Sequence, residues 1–395
     1  SGEAALASRG GTGRGCRPAG SDRRFPGPGG LFGLGPKGLG LRAGERHRGD
    51  MKFFDAHCDT AKRVLDGEVD FSRPDGGGHV SLPEMLAAGI RCQIFAVFVL
   101  SRDHPGEERA RAEEMIATVF RLAEESQGKM KVVTTAEELR QSFSHGPMAA
   151  LIGLEGADPL QGRAENLLRF FELGVRNLIP AWLDNPFSGT AFGSDRPLSP
   201  EGEKLVQLAE ELGVMVDVSH LSDSAFWRTL EVTEKPVIAS HSNCRALCPS
   251  PRNLTDRMIR ALADRGGALG INLSPGFLDP EYYERARPLV KRSLQPGLPA
   301  GEKVRLREEL KKIPRPELGW IARHVRHAIQ VGGEDVIGLG GDLDGISATP
   351  QGIETVADYA LLPELLERAG LVPRQVEKVC YGNFLRVFSE VLPQA

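Results

Sequence analysis

No two of the chain's six cysteines (Cys16, Cys58, Cys92, Cys244, Cys248 and Cys380) stand in a CxxC pair, and 395 residues far exceed a disulfide-stapled miniprotein. They read as reduced thiols of a cytoplasmic protein, with Cys244 and Cys248, spaced CxxxC, as packing residues. Nowhere do roughly 18 apolar residues run together, so a membrane-spanning helix is not expected. The positive, apolar, small-residue layout of a secretory signal is missing too. Nor is charge of one sign in excess, since 49 Lys and Arg face 53 Asp and Glu for a net charge of −4. Nucleic acid and anionic membrane are therefore poor partners, and a small substrate is the better expectation. Neither GxGxxG nor GxxxxGK(S/T) occurs, which removes the glycine-rich turns that cradle nucleotide phosphates.

Glycine, by contrast, is concentrated at one end. Residues 1–50 hold 15 of the 47 glycines and nine Lys or Arg against four Asp or Glu, with almost no β-branched residues. Such a segment buries too little apolar area to offset its chain entropy. It reads as a disordered leader ahead of Met51, upstream of the native start or foreign to it. Residues 51–395 read as one domain.

From Met51 onward short apolar or β-branched runs recur, at 53–57, 91–100, 149–154, 175–182, 214–219, 236–240, 267–273 and 335–340. Near-continuous apolarity is the signature of strands buried on both faces of a parallel sheet. Helical patterns separate them. Ser199 and Pro200 open one that Gly213 stops, and 106–124, 163–173, 223–232, 254–265 and 316–331 read similarly. Eight strand–helix units over roughly 250 to 300 residues predict a (β/α)8 TIM-type barrel. Two further C-terminal helices, near 355–370 and 373–390, are expected to cover it from outside.

The carboxyl ends of barrel strands form the active face. There the sequence places His57 and Asp59 after the first strand, Glu155 after the third, His220 after the fifth, His241 after the sixth and Asp342 after the eighth. Any one of these has an ordinary explanation as a capping or core residue. Together, three imidazoles and three carboxylates on one rim exceed the four-coordinate needs of a single zinc and fit a carboxylate-bridged pair of metals. The remaining histidines, His47, His79, His104, His145, His324 and His327, read as surface residues.

These residues fall within DAHCDT, LIGLEGAD, VDVSHLSDSAFW, VIASHSNCRAL with PRNL after it, GLGGDLDG and YGNFLRVF. In order and spacing the set resembles the membrane (renal) dipeptidase family of metallopeptidases, from about residue 53 to 390. The resemblance implies two zinc ions per chain, one on His57 and Asp59, the other on His220 and His241, with Glu155 between them. It implies Asp342 as acid and base, with Asp344 as the nearest competitor, and Arg252 as the holder of the substrate carboxylate. The implied reaction is hydrolysis of a dipeptide, L-L or L-D, by a metal-bridging hydroxide. Trp182 stands where mammalian members carry a histidine that contacts the reacting carbonyl, and so joins Arg252 as a substrate-binding candidate. A homodimer is likewise an expectation of the resemblance; the mammalian members are secreted and lipid-anchored, and the lack here of a signal segment and a hydrophobic C-terminal tail leads us to expect a soluble bacterial-type member instead.

Two other readings compete. One is a hydrolase of the same fold acting on another small amide, lactam or ester; the run VRNLIPAW lacks the lysine with which many such relatives bridge their metals. The other is a barrel that has lost catalysis and only binds, which six filled positions argue against. The segment 275–315 reads as a long loop, a lid or a dimer arm.

Overall fold

The computed structural model describes residues 51–394 apart from 294 and 296; the leader expected over residues 1–50 lies outside the described residues. Eight parallel strands form a nearly closed barrel. In chain order they are β1 (Phe53–Cys58), β2 (Ile90–Phe98), β3 (Met148–Glu155), β4 (Val175–Ile179), β5 (Met215–Val216), β6 (Ile238–Ala239), β7 (Ala268–Ile271) and β8 (Ile337–Leu339). The hydrogen-bonded order runs β5-β4-β3-β2-β1-β8-β7-β6. One isolated parallel bridge, Asp217 to Ile238, brings β5 against β6. Eight parallel strands with surrounding helices are the TIM-type architecture.

The strands form where the apolar runs predict them. Every barrel strand except β1 and β3 ends earlier than its run, and polar side chains take over part of the backbone beyond. Past β5, for example, the Asp217 carboxylate accepts the amides of Ser219 and Ser240, each at 3.0 Å. Sequence patterning misses a ninth strand, Met130–Val132, which pairs with the start of β3 and carries an exposed lysine in its middle. Three helices, Thr60–Leu65, Leu82–Ala88 and Ala136–Ser144, are also additional.

Helix starts follow local chemistry. Ser199 accepts the amide of Gly202, Pro200 occupies the first turn, and Gly213 closes the helix Pro200–Leu212 at φ 72. Ser222 and Thr255 cap Asp223–Val232 and Asp256–Asp264 in the same way. The expected helix 316–331 is observed as Gly319–Gly332. The segment 275–315 is not a loop: it contains helices Pro275–Leu278, Pro280–Ser293 and Ala300–Lys311. Tyr282, Ala286 and Ile313 bury themselves as a small core between them.

The last helix does more than cover the outside. Phe384, Val387, Phe388 and Val391 of Asn383–Val391 share one buried cluster with Phe54, Cys92, Ala149, Met215, Ile238 and Ala268, residues at the amino ends of six strands. Phe54 packs against Phe384 and Phe388 with ring centroids 5.6 and 5.2 Å apart. The helix thus closes the amino end of the barrel, leaving the carboxyl end as the open face. His324 is a further correction: it is fully buried, not on the surface. Its helix turns Ile321, Ala322, Val325 and Ala328 inward alongside it, its Nδ1 accepts the Cys244 amide, and its Nε2 lies 2.9 Å from the Leu278 carbonyl.

Candidate metal centre

Strand β1 reaches the open rim through a bulge. Asp55 pairs with Gln93 and Cys58 with Phe95, so β1 spends three steps where β2 spends two. A bulge re-aims the side chain that it carries, and here the residue after Ala56 is His57. Asp55 braces the turn: its Oδ1 accepts the amides of His57 and Gly341 at 3.0 Å each, and its other oxygen takes the Tyr359 hydroxyl. Backbone bonds from Asp342 N to His57 O (3.1 Å) and from Asp59 N to Leu343 O (3.0 Å) lock β1 to the segment after β8.

Glu155, the last residue of β3, stands among the histidines. Its Oε1 lies 3.0 Å from His220 Nε2 and 3.6 Å from His241 Nε2, while its Oε2 lies 3.4 Å from His57 Nε2. His220 and His241 approach each other at 2.8 Å between Nε2 atoms. His57 Nε2 is also 3.7 Å from Asp59 Oδ2. Two sets of potential metal ligands result: His57, Glu155 and His241 converge, and so do His57, Asp59 and Asp342. The buried His57 Nε2 has no hydrogen-bond partner within the chain. Buried imidazole without a partner is rare, and an imidazole–carboxylate donor set is the one that zinc and related divalent ions prefer. The residues present fit such ions.

The charges divide the site unequally. Burial works against a charged His57, but the Glu155 and Asp59 carboxylates outweigh it and hold the ring well above its usual range. Burial opposes ionisation of Glu155 too, yet His57 and His220 keep it well below the usual carboxylate range. His220 is pushed down to about 3 by burial and the Arg252 cation, against the pull of Glu155, and burial with His57 pushes His241 well below the ordinary value. One side therefore holds a protonated ring, the other two neutral ones.

Asp342 stands beside them in the left-handed region, at φ 58, and its Oδ2 accepts from Asn272 Nδ2 at 2.8 Å. Burial raises its carboxyl to about 7, against the pull of His57 and with Asp59 and Glu155 adding to the rise. Asp344 is occupied elsewhere: its carboxylate accepts from Thr60 Oγ1 (2.7 Å), Arg63 Nη1 (3.0 Å) and the His79 amide (2.6 Å). Gly345 lies between the two groups, where a Cβ would come within 2.0 Å of Asp59 Oδ2 and 2.5 Å of Asp342 Oδ1.

Arg252 is buried under the same rim. Its Nη1 donates to Ser242 Oγ and its Nη2 to the His241 carbonyl, both at 3.1 Å, while its buried Nε has no partner. The guanidinium lies 5.5 Å from the Phe277 ring centre. Burial pushes it down to about 10, which leaves it charged at neutral pH. Trp182 is half-buried, its ring 5.8 Å from that of His220 and 4.7 Å from that of Phe98. All eight residues singled out from sequence thus lie at or near the carboxyl rim. Sequence reasoning missed Asp55, Asp217 and Asn272; the first two carried a signal, an aspartate two residues before His57 and three before His220.

The family model described as membrane dipeptidase (peptidase family M19) matches residues 45–394. Human dipeptidase 3 is 30% identical over 322 residues, an alignment covering 80% of this chain and 59% of the human protein. The chain therefore spans about three fifths of that relative's length. The structure of dipeptidase AC, a metallopeptidase of family M19, superposes with a TM-score of 0.74 at 26% identity, covering 87% of this chain and 99% of that one. A Rhodobacter sphaeroides metallopeptidase, solved with a phosphinate mimic of L-Ala-D-Ala, gives 0.73 at 25% identity, covering 86% of this chain and 99% of its own.

Proposed function

This chain belongs to the membrane dipeptidase family, peptidase family M19, and we propose that it is a dipeptidase holding two zinc ions and hydrolysing L-L and L-D dipeptides. The observation that carries this reading is the division of Glu155, one oxygen toward His220 and His241 and the other toward His57. In it His57 and Asp59 would hold one ion, His220 and His241 the other, and Glu155 would be shared between them. Bound zinc supplies Lewis acidity toward the amide carbonyl and lowers the pKa of the attacking water.

The protein's own groups do the rest. Arg252 brings to the substrate carboxylate a buried, charged guanidinium with an unused Nε donor. Asn272 holds Asp342 Oδ2, which leaves Oδ1 to accept the proton of the attacking water and pass it to the leaving amine as the C–N bond breaks. Asp344, engaged by Thr60, Arg63 and His79, is spent on structure. Trp182 offers an apolar wall beside His220, and its indole N–H is a donor only. The L-D range is supported by the phosphinate mimic held by the Rhodobacter protein.

No helix among the described residues is long and apolar enough to cross a membrane, and the five described cysteines are buried free thiols. We propose a cytoplasmic location on the free thiols alone; a homodimer rests on the family resemblance. The test is to purify the chain with zinc, count metal per chain and assay L-L and L-D dipeptides, with Asp342→Asn alongside. Two zincs and turnover that falls at least about 100-fold in the variant are expected. Two zincs without dipeptide turnover would transfer the site to another small amide, lactam or ester, and no bound metal would sink the reading.

A further inference from the structure

One fully buried carboxylate at the rim has no part in that chemistry. Asp217 follows β5 directly, at the seam where the barrel's own pairing is thinnest: β5 and β6 have two residues each, and a single backbone bridge joins them. Its Oδ1 accepts the Ser219 amide from its own strand and the Ser240 amide from the neighbouring one, each at 3.0 Å, while its Oδ2 accepts from Asn177 Nδ2 at 3.1 Å. Three residues later His220 stands at φ 72, a left-handed conformation that a non-glycine residue keeps only when its surroundings hold it. The His241 amide donates to Ser219 Oγ at 3.2 Å, so both imidazoles hang from groups that this carboxylate fixes.

We infer that Asp217 is a positioning residue for the His220/His241 half of the site, setting the spacing of the two strand ends so that a second metal ion is held. The inference rests on the metal-binding part of the function proposed above. Asp55 does the same for the other half, taking the amides of His57 and Gly341. There, however, two backbone hydrogen bonds and the Cys58–Leu343 bridge also join the strand ends. The β5/β6 seam has less backbone reinforcement; the Val218 amide to the Ile238 carbonyl, at 2.7 Å, lies below the ligands. Loss of Asp217 therefore acts on one metal and not on both. Arg252 shares the effect, because its two bonded nitrogens hold Ser242 and His241 of the same strand end.

The experiment is zinc titration of the full chain against a competing chelator, with metal counted after dialysis, for wild type, Asp217→Ala and Asp217→Asn. Wild type is expected to keep two zincs. Asp217→Ala should keep one, with the affinity for the other weakened about 10- to 100-fold, the usual effect of removing a partner that orients ligands. Asp217→Asn should recover most of that affinity: its amide oxygen can accept the same two N–H groups, and once the Asn177 amide turns over, its NH2 can donate to Asn177 Oδ1, which is buried without a partner in the wild type. Should the alanine variant fail to fold, Asp217→Glu, which keeps the charge but displaces it by one methylene, is expected to lose the same single zinc. The inference is overturned if a folded Asp217→Ala or Asp217→Glu binds both zincs as wild type does, if either loses both together, or if asparagine rescues nothing. Turnover does not enter this readout, so failure of the dipeptidase assay and failure of this inference are separate results.

Discussion

At the scale of the residue, the site's protonation is uneven, and that has a measurable consequence. A metal ligand must be a neutral imidazole, but His57 is held charged while His220 and His241 are held neutral. Metal uptake at neutral pH must therefore expel the His57 proton, whereas the other two rings have none to give. Calorimetric titration with zinc in buffers of different ionisation enthalpy should report release of about one proton per chain from this source, and affinity should fall as pH falls. Uptake without proton release would contradict a charged His57. Gly345 offers a second test. In Gly345→Ala the added carbon would overlap Asp59 Oδ2 and Asp342 Oδ1, so activity should fall at least about 100-fold, the scale of a lost proton-transfer group, with circular dichroism unchanged. Alanine tolerated at full activity would mean that neither carboxylate needs its present position.

At the scale of the element, the two ends of the barrel have separate duties. The helix Asn383–Val391 closes the amino end through Phe384 and Phe388, opposite the rim. Phe388→Ala should cost about 3 to 5 kcal/mol, as large-to-small core changes do, measured by urea unfolding, while zinc content stays at the wild-type level. A fall in zinc content with stability unchanged would instead connect that helix to the rim. The strands show the converse. Past their last ladder bonds β1 and β5 are held by aspartates, which is why the ligands can leave the strand direction at the rim without loosening the sheet below.

For the whole molecule, metal and fold are coupled. Without metal the rim packs Asp59, Glu155 and Asp342 close together with one charged imidazole, and burial with neighbouring carboxylates raises the carboxyls of Asp59 and Asp342. An ion that binds only the folded chain stabilises it, by about 4 kcal/mol at a thousandfold excess over its dissociation constant. Chelation should accordingly lower Tm by several degrees, and added zinc should restore it, followed by scanning calorimetry. An unchanged Tm would mean that the site does not take zinc under those conditions.

The sequence by itself determined the eight barrel strands, several of the capped helices and the rim positions of the residues proposed as ligands, because two-sided burial demands unbroken apolar runs and a polar residue at the end of such a run is conspicuous. DAH, LE, VSH, ASH and GGD each announce a strand end in this way. It did not determine the bulge in β1, the helical state of 275–315, the burial of His324 or the plug formed by Phe384 and Phe388. Each of those depends on contacts between residues far apart in the chain, which no local period records. The bracing role of Asp217 belongs to the same class: it reads as one more polar residue after β5 until Ser240, 23 positions on, is seen to donate to it. Tertiary structure alone decided which aspartates face the ligands and which hold the strands that carry them, since Asp55 and Asp217 each take one of their amide partners, Gly341 and Ser240, from a neighbouring strand.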